Sequence, residues 1–269
     1  MSFLIGYVAM VLLGMVLGLI GAGGSILTVP VLVYLLEIPA SQATGYSLAI
    51  VGATALVGGS EYLRCKQSNL RMALIFGTPA IISVYLTRRY IFPAVPDPVM
   101  QFENFILSKD VMVMLVFAVF MFIAAIAMIR SSGGETATEE LPEKVKLNYL
   151  LLFSGGFGVG IFTGFIGAGG GFMILPFLVL MGGLPIKIAI GTSLLIIAAK
   201  SVIGFIGEAQ VAYSIDYNFV ALITLLPLVG ILFGAYLNKR VPADKLKIAF
   251  SWFVLAMGIY IVIKELFLS

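Results

Sequence analysis

The sequence predicts an all-α, polytopic membrane protein built from two internal repeats. Each repeat would hold four full spans plus one short or re-entrant helix, about eight to ten membrane segments in all. Three observations predict it. Hydrophobic residues fill 61% of the 269 positions and charged residues only 11%, against roughly a quarter charged in ordinary soluble domains. The charges are also segregated: Val111–Ile129 contains none, and Phe3–Glu37 contains none before its last residue. About 20 apolar residues in a helix cover the hydrocarbon layer, so such stretches read as spans.

The third observation is a duplication. Gly14–Leu48 aligns with Gly160–Leu194 without a gap at an offset of 146, and 15 of 35 positions are identical. Apolar bias raises chance matches among Leu, Ile and Val, but it does not align glycines and prolines. Here Gly14, Gly18, Gly21, Ala22, Gly23, Gly24, Pro30, Pro39, Gly45 and Ser47 meet Gly160, Gly164, Gly167, Ala168, Gly169, Gly170, Pro176, Pro185, Gly191 and Ser193.

The elements follow in order. Residues 1–130 form the N-terminal repeat, with apolar segments Phe3–Ile20, Ile26–Leu36, Ala43–Val57, Met72–Thr87 and Val111–Ile129. Met1–Ile20 lacks the basic start of a secretory signal and reads as the first membrane helix. The polar stretch 131–146, with four glutamates from Glu135 to Glu143, reads as an aqueous linker. Residues 147–269 form the C-terminal repeat, with segments Leu147–Ile166, Phe172–Met181, Ile188–Ile206, Phe219–Leu237 and Ile248–Ile263. The second segment of each repeat is short, so crossing and re-entry both stay open.

Basic residues discriminate between the arrangements. If the short segments do not cross, parallel halves place seven Lys and Arg on one side and eight on the other. If each half has five crossing segments, the second half is inverted and the split becomes eleven against four. Cytoplasmic loops carry the excess of Lys and Arg. The linker is therefore expected inside, both termini outside, and Arg88–Asp110 in an external loop.

Several function classes drop out. The single Cys65 permits neither an intrachain disulfide nor a thiolate cluster, and histidine is absent, which removes the commonest metal ligand and proton relay. No cofactor or nucleotide motif is present. The formal charge of +3 gives no reason to expect nucleic-acid binding.

The candidate site residues sit where the apolar runs are interrupted. Gly21-Ala22-Gly23-Gly24-Ser25 breaks the first run and Gly167-Ala168-Gly169-Gly170-Gly171 breaks its copy. Each glycine costs a helix about 1 kcal/mol against alanine, so both segments should unwind locally. Unwound backbone inside a bilayer persists where protein or a water-filled cavity satisfies it. Paired breaks in equivalent places point to a central solute site, and amides opening the following half-helix suit an anion. The competing explanation is close glycine packing between helices.

Ser47, Thr192 and Ser193 lie near the start of the third segment of each half, where a hydroxyl caps the helix or faces a ligand. Thr28 and Gln42 read as local hydrogen-bonding residues, and Glu61 and Glu208 as interfacial. Lys200 falls deep in its segment, where its repeat partner is the neutral Thr54. A charge at that depth costs several kcal/mol. It either snorkels or pairs with Glu208, or it lies on an anion's path.

At these residues the chain resembles the sulfite exporter TauE/SafE family of membrane permeases. The resemblance rests on the doubled glycine segments followed by proline, Gly18–Pro30 and Gly164–Pro176, and on Gly191-Thr192-Ser193-Leu194 after Pro185. It covers both halves. It implies a multi-pass transporter of small anions such as sulfite, organosulfonates or related sulfur compounds, in a bacterial cell (inner) membrane. Ser25 stands where the second copy has Gly171, and Tyr46 where it has Thr192, so the second half is expected to supply more polar groups.

The leading expectation is a secondary transporter working by alternating access. Its partners would be a small anionic solute, the lipid bilayer and a coupling ion, proton or sodium. A channel of the same fold is the alternative. An intramembrane enzyme fits poorly, since there is no HExxH, no paired aspartates at depth and no serine with an evident base; a purely structural subunit is the remaining class.

Overall fold

The computed structural model describes residues 2–20, 25–102, 105–132, 149–211, 215–238 and 243–267. The linker glutamates and the first glycine break, Gly21, Ala22, Gly23 and Gly24, lie outside them. Among the described residues, the first half contributes α1 (Ser2–Ile20), α2 (Thr28–Tyr34), α3 (Ala40–Arg64), α4 (Leu70–Leu86) and α5 (Lys109–Ser132). The second contributes α6 (Tyr149–Ile166), α7 (Gly171–Leu180), α8 (Ile186–Ala209), α9 (Tyr217–Asn238) and α10 (Ala243–Phe267). Among the described residues, six stretches are long and apolar enough to cross a membrane: Ala40–Arg64, Leu70–Ala94, Lys109–Ile126, Tyr149–Ile166, Lys187–Ala209 and Tyr217–Gly234.

Burial is arranged for a lipid solvent. Leu150 is 78% exposed, Leu74 68%, Leu232 64% and Trp252 58%, whereas Ser25, Thr28, Thr44, Ser47, Thr54, Arg88, Thr192, Ser193 and Lys200 are all at 0%. Water would penalise both halves of that pattern. Hydrocarbon accepts large apolar side chains outside and drives polar ones inward.

Prolines and glycines set the element boundaries. Pro39 and Pro185 occupy the N-cap positions of α3 and α8, in extended backbone. Asn69 caps α4, its side-chain oxygen accepting from the Met72 N–H at 3.1 Å. One boundary departs from expectation. Arg88 and Arg89 are not in an external loop, because α4 continues through a π-helical turn, Thr87–Ile91, and a last turn at Phe92–Ala94. Only then does the chain leave the helix, into a short hairpin pairing Met100–Phe102 with Phe105–Leu107.

Glycine stripes let helix backbones approach closely. On α3, Gly45, Gly52 and Gly59 recur every seventh residue and face α8. A Cβ built on Gly45 would lie 2.9 Å from Glu208 Cγ, one on Gly52 3.2 Å from Val202 N, and one on Gly59 3.3 Å from Leu195 Cδ2. One on Gly191 would lie 2.9 Å from Tyr62 Cβ. Partner numbers fall as α3 numbers rise, so α3 and α8 run antiparallel. The offset of 146 carries the Gly45–Glu208 contact onto Gly191–Tyr62.

The other large contacts run in step instead. Gly156, Gly160 and Gly164 of α6 meet Phe76, Ala80 and Val84 with Thr87, so α6 and α4 are parallel. Gly230 and Gly234 of α9 meet Gly14 with Met15 and then Met15 with Gly18, so α9 and α1 are parallel too. A tight turn reverses the chain between α3 and α4, so α6 and α8 both point opposite to α3. The ten-residue α7, about 15 Å long, must then return the chain between them.

Candidate functional site

The second glycine break is the centre of the buried polar groups. Gly167, Gly169 and Gly170 have φ of +76°, +67° and +71°, a region that side-chain-bearing residues enter at a cost of about 1–2 kcal/mol. Space is equally restrictive. A Cβ on Gly167 would collide with the Thr44 backbone, one on Gly169 with Val51, and one on Gly170 with the Thr163 methyl. The bare backbone is what lets the break lie against α3 and α6.

Polar side chains converge on it. Ser47 donates its hydroxyl to the Gly167 carbonyl at 2.6 Å. The Lys200 ammonium donates to Thr163 Oγ1 at 2.6 Å and lies 3.2 Å from where a Gly170 Cβ would stand. Ser25, the first described residue after the first break, has its Oγ 3.3 Å from the equivalent point on Gly169. Lys200 is nine residues from the end of α8, about 14 Å of helix, too far for its ammonium to reach either interface.

Gly170 is the N-cap of α7 and offers no side chain to cap it. The first N–H groups of a helix have no intrahelical acceptor, so the start of α7, with Gly171, presents backbone donors beside the Lys200 ammonium. Ala168, 1% exposed, completes the buried turn. The cluster therefore joins a full positive charge, hydroxyls and a helix N-terminus, a set that favours negative charge.

Two expected residues lie elsewhere. Thr192 donates to the Ile188 carbonyl at 2.6 Å and accepts from the Asn69 N–H at 2.9 Å, tying the start of α8 to the α3–α4 turn. Ser193 donates to Ile190 O at 2.8 Å. Their local bonds are what a helix-start hydroxyl makes without a ligand. Ser193 is the repeat equivalent of Ser47, and the position matching the Ser47 contact is Gly21, outside the described residues.

Sequence reasoning missed Thr163 and Thr44. Thr163 stands four residues before Gly167, and its carbonyl accepts from the Gly167 N–H at 2.9 Å, the last helical bond before the break. Sequence reasoning also offered Glu208 as a partner for Lys200, whereas the structure pairs it with Arg88. Glu208 Oε2 is 3.2 Å from Arg88 Nη1, with Arg88 fully buried.

A family model for the sulfite exporter TauE/SafE matches residues 7–261. The chain belongs to the TauE/SafE family. It is 26% identical over 231 residues to a Bacillus subtilis protein named probable membrane transporter protein YdhB, covering 86% of each chain. It is 28% identical over 258 residues to a probable membrane transporter protein of Xylella fastidiosa, covering 93% of this chain and 91% of that one. A probable membrane transporter protein of Methanocaldococcus jannaschii is 24% identical over 279 residues, 97% of each chain. No solved structure matches. This TauE/SafE protein is an integral membrane transporter and not an enzyme.

Proposed function

We propose that this TauE/SafE protein is a secondary transporter of small oxyanions, sulfite, organosulfonates or related sulfur anions, in a bacterial cell membrane. The solute passes the buried cluster of Ser25, Ser47, Thr163, Gly167–Gly171 and Lys200, together with the first break Gly21–Gly24. The observation that carries the reading is Lys200: a fully buried ammonium, two-thirds of the way along α8, with a hydroxyl partner and no ion pair among the described residues. A buried cation without a counter-charge is costly, and a bound anion supplies the missing charge. Among the described residues, the buried Thr28 and Ser201 hydroxyls also have no hydrogen-bond partner.

Purified protein in liposomes should take up sulfite or methanesulfonate with saturation, and an imposed proton or sodium gradient should change the rate. Fast, unsaturable flux insensitive to both gradients would instead describe an anion channel. No flux with any of a panel of oxyanions would reject the reading.

Alternating access follows from the two halves, 1–130 and 147–269 joined by 131–146, being inverted repeats. This is supported by α3 and α8, repeat equivalents that pack antiparallel, because only an axis lying across them, in the membrane plane, relates such a pair. Cys65, exposed in the α3–α4 turn, is a natural probe. It should react with an impermeant thiol reagent only from the cytoplasmic face. In a Cys65→Ser background, Asn218→Cys at the start of α9 should react only from the other face. Both reacting from one face would contradict the inverted arrangement.

A further inference from the structure

Arg88 is the largest fully buried side chain of the protein among the described residues, and nothing in the transport cluster uses it. Its guanidinium sits in the π-helical turn that follows α4. Nη1 donates to Thr44 Oγ1 at 3.1 Å and to Glu208 Oε2 at 3.2 Å, while Nη2 makes a long bond, 3.4 Å, to Phe165 O. Nε is buried with no hydrogen-bond partner among the described residues. Nε and Nη2 together form the side-on fork that recognises carboxylates and other oxyanions through two parallel bonds. In this conformation that fork is underused.

The surroundings point the same way. The guanidinium carbon lies 4.6 Å from the centre of the Phe92 ring, and the Lys109 ammonium lies 4.2 Å from the same ring. Two cations thus contact one aromatic ring. The nearby carboxylates of Asp97 and Asp110 accept from the backbone N–H groups of Lys109 and Ser41. Glu208 supplies the ion pair to Arg88, and it is itself 15% exposed.

Geometry relates this pair to the central cluster. Lys200, Gly204 and Glu208 lie four residues apart on one face of α8, so the pair is about 12 Å from Lys200 along the helix. Between them the chain is closed by apolar contact: a Cβ on Gly204 would be 3.1 Å from Val84 Cγ2 and 3.2 Å from Leu48 Cδ1. Phe165, whose carbonyl meets Arg88, immediately precedes the end of α6 and the glycine break.

We propose that Arg88 is a second oxyanion station, at the end of the path away from the α3–α4 turn, and that the Glu208 carboxylate occupies it in this closed conformation as a built-in substitute for the solute. An arriving oxyanion takes the Nε and Nη2 fork, competes for the guanidinium charge with Glu208 on Nη1, and so weakens that ion pair and the contact it makes between α8 and the turn after α4. The station deepens the transport reading, since it takes the same chemical class of solute.

Sulfite binding to the detergent-solubilised full chain, measured by calorimetry in a Lys200→Met background, separates the two sites. Adding Glu208→Gln should tighten sulfite binding at least tenfold, because the amide keeps the shape and drops the competing charge. Adding Arg88→Gln on top should remove that gain. No gain on Glu208→Gln, or a gain that survives Arg88→Gln, overturns the station. Failure of the Lys200 reading shows separately, as unchanged sulfite binding by Lys200→Met alone. If Glu208→Gln does not accumulate as folded protein, Glu208→Asp withdraws the carboxylate from Arg88 Nη1 while keeping its charge. A smaller gain in the same direction is then expected, and its absence equally overturns the proposal.

Discussion

Lys200→Met should fold normally, melt at the same temperature or a few degrees higher, and lose most saturable anion uptake. Methionine matches lysine in length and fills the same space against Thr163 and Gly170, so packing changes little. Replacing a buried charge with a well-packed apolar group is often neutral or stabilising, by about 1–4 kcal/mol. The anion, however, loses a charge-assisted partner worth about 1.5–3 kcal/mol, which corresponds to a fall in kcat/KM of roughly 10- to 150-fold. Lys200→Arg should not restore it, because the planar guanidinium needs more room than the pocket between Thr163 and Gly170 offers. Uptake of radiolabelled sulfite or methanesulfonate into liposomes, with melting followed in parallel, checks both halves of the expectation. Unchanged saturation in the Met variant would remove Lys200 from the path.

The second large effect is expected at Gly170, and it comes with a rescue. Gly170→Ala introduces one methyl group, which falls on the Thr163 methyl, at a φ of +71°. The backbone conformation alone costs about 1–2 kcal/mol, and overpacking adds about 1–3 kcal/mol. The variant should therefore accumulate poorly and show little transport. Thr163→Ser removes the obstructing methyl and keeps the hydroxyl that Lys200 contacts. The double variant should recover most of the steric term, leaving only the backbone strain, and with it a substantial part of the folded yield and the flux. Size-exclusion yield and uptake measured on the four proteins of the cycle give the coupling. If the double variant behaves no better than Gly170→Ala, the break is not held by the Thr163 contact.

Much of the fold was legible before any coordinates. Apolar run lengths located the helices, though α3 runs seven residues past Val57 and α4 continues past Thr87, because the bilayer imposes one length scale and full backbone hydrogen bonding on every span. Glycine spacing marked the second break, where Gly167, Gly169 and Gly170 have positive φ, since glycine marks backbone geometry directly rather than through packing; its first copy lies outside the described residues. Misreadings arose where one side chain's role depends on another helix. Arg88 looks like a loop residue, opening a stretch with several prolines, and nothing local announces the π-helical turn that buries it. Glu208 near a helix end gives no sign of its ion pair until the turn after α4 is brought against it.

The site divides along the same line. Composition and the repeat determined by themselves that the protein is a membrane protein with two interrupted, equivalent segments and one cation, Lys200, that the second half alone carries. Only the tertiary structure decided which hydroxyls join it. Ser47 and Ser193 are repeat equivalents with equal claims in the sequence, yet Ser47 reaches across to Gly167 while Ser193 bonds within its own helix. Thr163 enters the cluster because the Gly156, Gly160 and Gly164 stripe lets α6 press against α4 and settles its rotation toward α8. Sequence encodes what a segment can do alone, its hydrophobicity, its breaks and its charges. Which partner each polar group meets depends on the register and rotation of helices distant in the chain, and those are fixed only when their surfaces pack.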